Sequence, residues 1–223
     1  MKIAIMQPYL LPYLGYFQLI NSVDKFIFLD DVNFIKSGWI NRNKIMVNNE
    51  EKYITIPLNK QSQNRLICEH TFYWQGGWVT KFLQTLYYAY HGSPYYDEVL
   101  SVVEHLFCFG YGNGNISKFA YECIKTITSH MNLDINFDWS SNYDNKNKKG
   151  KDRLIDICEK NKATMYINAI GGKELYTQED FNPIDLRFIK RLDKENNLSI
   201  IDILMRNGFD KTKLLMNEYE FIK

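Results

Sequence analysis

The apolar positions of this chain change period several times, and each change marks an element. Ile3 to Met6 is a short uninterrupted apolar run, which suits a buried strand. Gln7-Pro8-Tyr9 breaks the run and Pro12 prolongs the break, so a loop follows. From about Tyr13 to Asn21 apolar residues return at helical spacing, with Leu14, Phe17, Leu19 and Ile20. Lys25 to Leu29 is again strand-like and ends in Asp30-Asp31. Strand, loop, helix and strand in that order form a βαβ unit, which predicts a parallel sheet.

Beyond this unit the pattern is less even. Residues 33–49 are mixed, Lys52 to Pro57 alternates as a strand, and Leu66 to Phe72 is a candidate for another. Trp78 to Tyr90 predicts an amphipathic helix with Phe82, Leu83, Leu86 and Tyr90 inward. Two more helices are predicted at Asp97 to Phe107 and Ser117 to His130, separated by the glycine-rich break from Phe109 to Asn115. Residues 142–151 form a polar, lysine-rich loop, either solvated or reaching a phosphate. A helix at Lys151 to Asn161, a strand at Thr164 to Ile167 and a turn at Gly171-Gly172-Lys173 come next. From Leu186 the pattern gives a strand or two and a helix around Ile200 to Arg206. The expected fold is α/β: a parallel Rossmann-like (HUP-like) sheet flanked by helices, with a mainly helical middle and C-terminal region. One domain is expected over residues 1–223, with a site-bearing βαβ part at 1–75, a helical insertion at 76–135 and a completing α/β part at 150–223.

Composition narrows the function. With 223 residues, 45% hydrophobic and 24% charged, the chain can bury a core without staples. A formal net charge of +1 supplies no global field for nucleic acid or an anionic membrane, so any anion must be held by a local cluster. The 16 tyrosines leave many phenol hydroxyls that need partners when buried. Cys68, Cys108, Cys123 and Cys158 include no C-x-x-C pair and read as structural thiols. His70, His91, His105 and His130 show no ligand spacing, and no metal site is expected. The stretch MKIAIMQPYL lacks the apolar core of a signal peptide, and no run reaches the ~18 apolar residues of a membrane span. A cytoplasmic protein is expected.

The strongest chemical signal is Gln7-Pro8-Tyr9-Leu10-Leu11-Pro12-Tyr13-Leu14-Gly15-Tyr16, where the first strand ends and the first helix begins. Open parallel sheets bind ligands beyond the carboxyl ends of their strands, and a helix N-terminus there suits an anion. The plain alternative is a tight turn shaped by prolines and tyrosines. Close behind comes Lys36-Ser37-Gly38-Trp39-Ile40-Asn41-Arg42-Asn43. Its cations fit a diphosphate, its amides fit hydroxyls and Trp39 offers a flat face. Lys60 is expected in the same basic patch. Asp30 or Asp31 suits a general base or a hydroxyl contact, against the alternative of a turn or cap. The run Gly110-Tyr111-Gly112-Asn113-Gly114 does not match a dinucleotide fingerprint and reads as a helix connection.

These segments carry a resemblance. MQPYLLPYLGYFQLIN, VDKFIFLDDVNFIKSGWINRNKI and ITIPLNK, with the later RLIDICEKNKATMYINAIGGKELY, Phe181 and LSIIDILMRNG, resemble the WbqC-like proteins over nearly the whole chain. The resemblance implies a bacterial protein of O-antigen and capsule sugar pathways that helps attach an acyl or glycyl group to an amino sugar. At the level of fold, the strand and the Pro-Tyr-Leu-Gly-Tyr helix start are also similar to HIGH-motif nucleotidyltransferases and pantothenate synthetases. Tyr13 and Tyr16 stand where that His-x-Gly-His motif has histidines, and Gly15 is kept. A phenol donates a hydrogen bond but offers no positive charge.

The expected function is therefore a transferase moving an acyl or glycyl group to the amine of a nucleotide-linked amino sugar. An ATP-dependent amide ligase or nucleotidyltransferase, and a non-catalytic nucleotide-sugar-binding module, are the alternatives. Asp31, Tyr13, Tyr16 and Lys36 are the catalytic candidates. Gln7, Pro8, Tyr9, Gly15, Asp30, Trp39, Asn41, Arg42, Asn43 and Lys60 are the substrate-binding candidates. No cofactor is fixed by the residues, and an acyl donor or ATP are the open options. The expected partner is a nucleotide-linked sugar, with a homodimer left open and neither nucleic acid nor membrane insertion expected.

Overall fold

Adjacent side chains of a strand leave on opposite faces, so a strand with no polar alternation needs a core on each side. The computed structural model, which describes residues 1–73, 77–108 and 114–223, meets that demand. In chain order the elements are β1 (Lys2–Met6), α1 (Leu14–Asn21), β2 (Lys25–Phe28), β3 (Arg42–Val47), β4 (Glu50–Thr55), α2 (Trp78–Tyr90), α3 (Tyr96–Cys108), α4 (Ile116–His130), β5 (Phe137–Trp139), α5 (Gly150–Lys160), β6 (Met165–Ala169), α6 (Gln178–Phe181), β7 (Asp185–Arg191), α7 (Ile200–Leu215, kinked at Gly208) and β8 (Tyr219–Ile222).

Six strands form one sheet in the order β5-β2-β1-β6-β7-β8, parallel except for β8, which runs antiparallel to β7. Ala4, Phe26, Phe28, Ile167 and Ile189 enter a core shared with α1, α2, α3, α4 and α7. Ile3, Ile5, Ile27, Tyr166, Leu186 and Phe188 enter a second core under α5 and Phe181 of α6. This is a Rossmann-like α/β sheet with helices on both faces. Among the described residues, no helix is long and apolar enough to cross a membrane.

Several elements differ from the sequence expectation. The mixed stretch at 33–49 contains β3, which pairs with β4 as a separate antiparallel hairpin. Asn48 and Asn49 both have positive φ at its turn, a conformation asparagine tolerates and hairpins favour. Leu66 to Phe72 is not a strand. It holds a single 3₁₀ turn at Ile67–Glu69 flanked by isolated bridges. There Ser62 N–H donates to His70 Nε2 and His70 Nδ1 donates to Leu66 O, so this buried ring is saturated by the backbone. β5 was not foreseen, because three half-buried residues carry no period. The run Gly110 to Asn113 lies outside the described residues.

The edge at β5 is fixed by charge as well as by the ladder. Lys25 Nζ lies 3.0 Å from Asp138 Oδ2, and Tyr143 donates to the same oxygen at 2.7 Å. Burial raises the Asp138 pKa, but donors from Tyr143, Asn142, Trp139 and Lys25 outweigh it and hold the carboxyl down at about 2. A depressed carboxyl pKa adds stability that is complete above the unfolded value of ~3.9 and is lost as pH falls through the folded value. Asp138→Asn is therefore expected to flatten the acid limb of a denaturation profile between about pH 4 and pH 2, read by circular dichroism. An unchanged acid limb would refute the assignment.

Candidate functional site

β1 hands the chain to β2 on one side, whereas β6, its other neighbour, hands it to β7 on the opposite side. The two exits diverge, and a hollow of about 810 Å³ opens beyond the carboxyl ends of β1, β6 and β7. Gln7, Tyr9, Pro12 and Tyr13 reach it from the loop after β1, Trp39 from the segment leading into β3 and Asn43 from β3 itself. Asn168 and Gly172 come from the exit of β6, Lys190 and Arg191 from β7, and Asn197 from the loop before α7.

The proline-tyrosine turn is held from a distance. Its carbonyls are buried and need donors. Asn43 Nδ2 donates to Leu10 O at 2.9 Å and Leu11 O at 2.7 Å. Ser199 Oγ donates to Leu11 O at 2.8 Å, and Ile200 N–H to Pro12 O at 2.9 Å. Leu10 N–H donates to Trp39 O at 2.9 Å, which fastens the two segments to each other. The buried Tyr16 hydroxyl donates to Gln7 O at 2.8 Å.

Arg191 is the more heavily hydrogen-bonded of the two cations in the lining. Its Nε donates to Asp193 Oδ2 at 3.0 Å and one Nη2 hydrogen to Asp193 Oδ1. The second Nη2 hydrogen goes to Glu195 O at 2.8 Å, and Nη1 donates to Asn197 Oδ1 at 2.6 Å. A guanidinium has five donors, so one Nη1 hydrogen is left for a ligand. Arg191 also packs over the Tyr13 ring, 5.8 Å from its centroid. Lys190 is more exposed and pairs with Glu220 at 2.7 Å.

The tyrosines here are neutral donors. Burial raises the pKa of Tyr9, with a further push from Tyr13, and raises that of Tyr13 against the pull of Arg191. Burial also raises Tyr176, and drives Tyr16 and Tyr166 well above the usual phenol value. None is tuned to lose its proton near neutrality. The lining described here contains no carboxylate, imidazole or thiol.

The residues singled out from sequence fall into three groups. Gln7, Tyr9, Tyr13, Trp39 and Asn43 line the hollow. Pro8, Gly15, Tyr16 and Asn41 are buried behind it, Asn41 donating to Ile56 O at 2.8 Å. Lys36, Arg42, Lys60, Asp30 and Asp31 are outside the lining. Lys36 and Lys60 are solvent-exposed, so the basic patch expected around them is not assembled at the hollow. Arg42 folds back onto the carbonyls of Gly38 and Ser37, with its guanidinium 4.2 Å from the centroid of the Tyr53 ring.

Asp30 and Asp31 belong to a buried polar network. Arg153 of α5 donates to both Asp31 carboxylate oxygens, at 2.7 and 2.6 Å, and to its carbonyl at 3.3 Å. The Ser140 hydroxyl donates its one hydrogen to Asp31 Oδ1, with Asp30 Oδ1 3.2 Å away, and Ser141 donates to Asp30 through N–H and Oγ. Burial raises the Asp30 pKa while the two serines pull it back. Asn145 from the lysine-rich loop accepts from Arg153 at 3.0 Å and donates to Asp156 at 2.7 Å. Residues 142–151 are otherwise exposed, apart from the half-buried Tyr143, and none of them lines the hollow, so the loop is solvated with Asn145 as its one buried anchor. Cys68 lies beside this network, and burial plus the nearby carboxylates push its thiol up to about 11. Cys123 and Cys158 are free and buried.

Asn168, Gly172, Lys190, Arg191 and Asn197 escaped the sequence reading. The Gly171-Gly172 pair directly after a predicted strand was the available signal. Lys190 and Arg191 had none, since their value depends on β7 lying two places from β1.

A family model described as the WbqC-like protein family matches residues 7–214. The uncharacterized protein Rv1507c of Mycobacterium tuberculosis is 24% identical over 187 residues, covering 83% of this chain and 80% of that protein. No solved structure matches the chain.

Two outcomes are expected. A Cβ on Gly15 would sit 2.5 Å from Tyr13 Cε2 and 2.9 Å from Arg191 Cδ. Helix propensity favours alanine by ~1 kcal/mol, but overpacking costs ~1–3 kcal/mol, and Arg191 is pinned. Gly15→Ala should lower the melting temperature, and a rise would show that Tyr13 and Arg191 move aside freely. Asp31→Asn strips a buried guanidinium of its counter-charge and should cost ~3–5 kcal/mol in urea denaturation. A loss below ~1 kcal/mol, the range of exposed pairs, would contradict a structural role.

Proposed function

This chain belongs to the WbqC-like protein family, and from that premise we propose that its hollow binds a nucleotide-linked amino sugar for transfer of an acyl or glycyl group to the sugar amine. The observation that carries the reading is the composition of the lining at the topological switch point. Amides of Gln7, Asn168 and Asn197 suit sugar hydroxyls, Trp39 and the tyrosines suit flat or apolar ring faces, and Arg191 and Lys190 suit a diphosphate. The pathway is that of O-antigen or a related surface polysaccharide, and the site is cytoplasmic.

The reaction requires the amine nitrogen to bond to the acyl carbon while the leaving group departs with its electron pair and the ammonium proton goes to solvent or the leaving group. Asp31 is a poor base for that proton, because Arg153 occupies both of its oxygens. In this reading the protein supplies orientation and hydrogen bonds from neutral phenols, and catalysis rests mainly on proximity. One observation favours a second reading, a non-catalytic nucleotide-sugar-binding module: the described lining has no group that takes up a proton near neutrality. The ATP-dependent ligase or nucleotidyltransferase reading has less support, because the Tyr16 hydroxyl is spent on Gln7 O.

Thermal-shift titration with UDP- and dTDP-linked amino sugars, ATP and coenzyme A tests the proposal. A ligand at ~100 times its dissociation constant adds ~2.7 kcal/mol. The expected result is stabilisation by nucleotide sugars, weakened about tenfold or more in Trp39→Ala, whose ring is partly exposed and lies 6.4 Å from the Tyr53 ring. Stabilisation by ATP or coenzyme A alone would overturn it. Mass spectrometry of the bound sugar after incubation with acyl donors separates the two readings, since a module returns it unchanged.

A further inference from the structure

The hollow has a polar rim and an apolar inner end. The inner end is formed by Ile5, Leu29, Leu154, Tyr166 and Tyr176, all uncharged and all buried or half-buried. Ile5, Leu154 and Tyr166 belong to the core under α5, with Leu29 and Tyr176 packed against it, so this compartment lies on the α5 face of the sheet. Tyr13, at the rim, packs against the opposite core. The ring of Tyr166 is fixed by stacking on Phe181, with centroids 4.9 Å apart and planes 12° from parallel. Tyr176 meets the same Phe181 edge-on at 5.8 Å. Leu175 and Ile170, both also lining the hollow, are largely exposed beside Gly171.

One polar atom stands out in this setting. The Tyr166 hydroxyl is buried and has no hydrogen-bond partner among the described residues. A buried hydroxyl left without a partner costs ~1–3 kcal/mol, so a side chain kept there asks for an acceptor. Its polar neighbours are the Tyr176 phenol, itself a neutral donor, and the buried Cys158 thiol, and neither is placed to accept its hydrogen. The matching ligand is an apolar group that ends in a single acceptor oxygen.

We propose that this compartment on the α5 face is an acyl subsite, in which Tyr166 donates its hydroxyl hydrogen to the carbonyl oxygen of a short, uncharged acyl chain. The identification of the ligand as an acyl group rests on the transfer reaction proposed above. The subsite also chooses between the two groups named there. A glycyl group carries an ammonium, and the compartment has no carboxylate to receive it. Placing that charge among Ile5, Leu29 and Leu154 is strongly disfavoured, whereas a methyl or methylene gains by burial. A simple acyl donor is therefore the substrate class, and chain length is the property the compartment reads.

Saturation-transfer NMR titrations of the full chain with acetamide, propionamide, butyramide and glycinamide test this without a nucleotide sugar. Propionamide and glycinamide have the same number of heavy atoms and differ in charge. Affinity should rise about fourfold per added methylene, and glycinamide should not bind. Tyr166→Phe removes an unpartnered hydroxyl, so it should fold with an unchanged or raised melting temperature, yet bind propionamide about fivefold more weakly. Glycinamide binding as tightly as propionamide, an affinity flat with chain length, or a Tyr166→Phe protein with unchanged amide affinity would each overturn the subsite. Nucleotide sugars are titrated in parallel. Amide binding without sugar binding would keep the subsite and sink the sugar, and the reverse would do the opposite.

Discussion

The constraint on which the rest depends is topological. A parallel strand cannot return to its neighbour through a tight turn, so every crossover must climb over one face of the sheet. Here the chain builds outward from β1 through β2 to β5 and then crosses under α5 to start again on the far side of β1 with β6. The loops leaving β1 and β6 are drawn apart, and among the described residues the space between them is left as the hollow. The hollow exists for that reason, before any side chain is considered. What the side chains decide is its chemistry.

The long return from β5 to β6 has its own fastening. Arg153, near the start of α5, reaches back to Asp31 at the end of β2 and to Asn145 in the preceding loop. Asp30, Asp31, Ser140 and Arg153, drawn from three distant parts of the chain, are gathered in one buried network with the exposed Ser141 at its edge. A buried ion pair contributes less to net stability than its geometry suggests, because both charges lose water. Its value here is positional: it fixes where α5 begins, and therefore where Leu154 meets the inner wall of the hollow.

Much of this was legible in the sequence because local signals and tertiary demands agreed. The apolar run at Ile3 to Met6, the helix at Leu14–Asn21 and the strand at Lys25–Phe28 all follow from period alone, and they fix the first half of the site. Trp78–Tyr90 was equally clear. The reading weakened wherever a residue's role depended on a distant partner. Asp31, at the end of a predicted strand, looks like a base until Arg153, 122 residues away, is placed beside it. Arg42 looks like a phosphate ligand until Tyr53 and two carbonyls claim it. Arg191 looked like nothing, since its place depends on strand order. Side-chain type was read correctly in these cases, but the direction in which each one points is a property of the whole fold.

The ties between Ser199, Ile200 and the Leu11-Pro12 turn have a bearing on the order of assembly. A ribosome delivers the first βαβ segment long before the residues that brace its loop, since the bonds from Ser199 and Ile200 each close a separation of 188 residues. Such long-range closures come late and slowly. The nascent chain therefore carries a Pro-Tyr loop held early by Asn43 and Trp39 alone, and its Pro12 carbonyl gains its donor only when α7 docks. The final shape of the rim is thus a property of the finished molecule, since residues beyond the last lining position, Ser199 and Ile200, complete it.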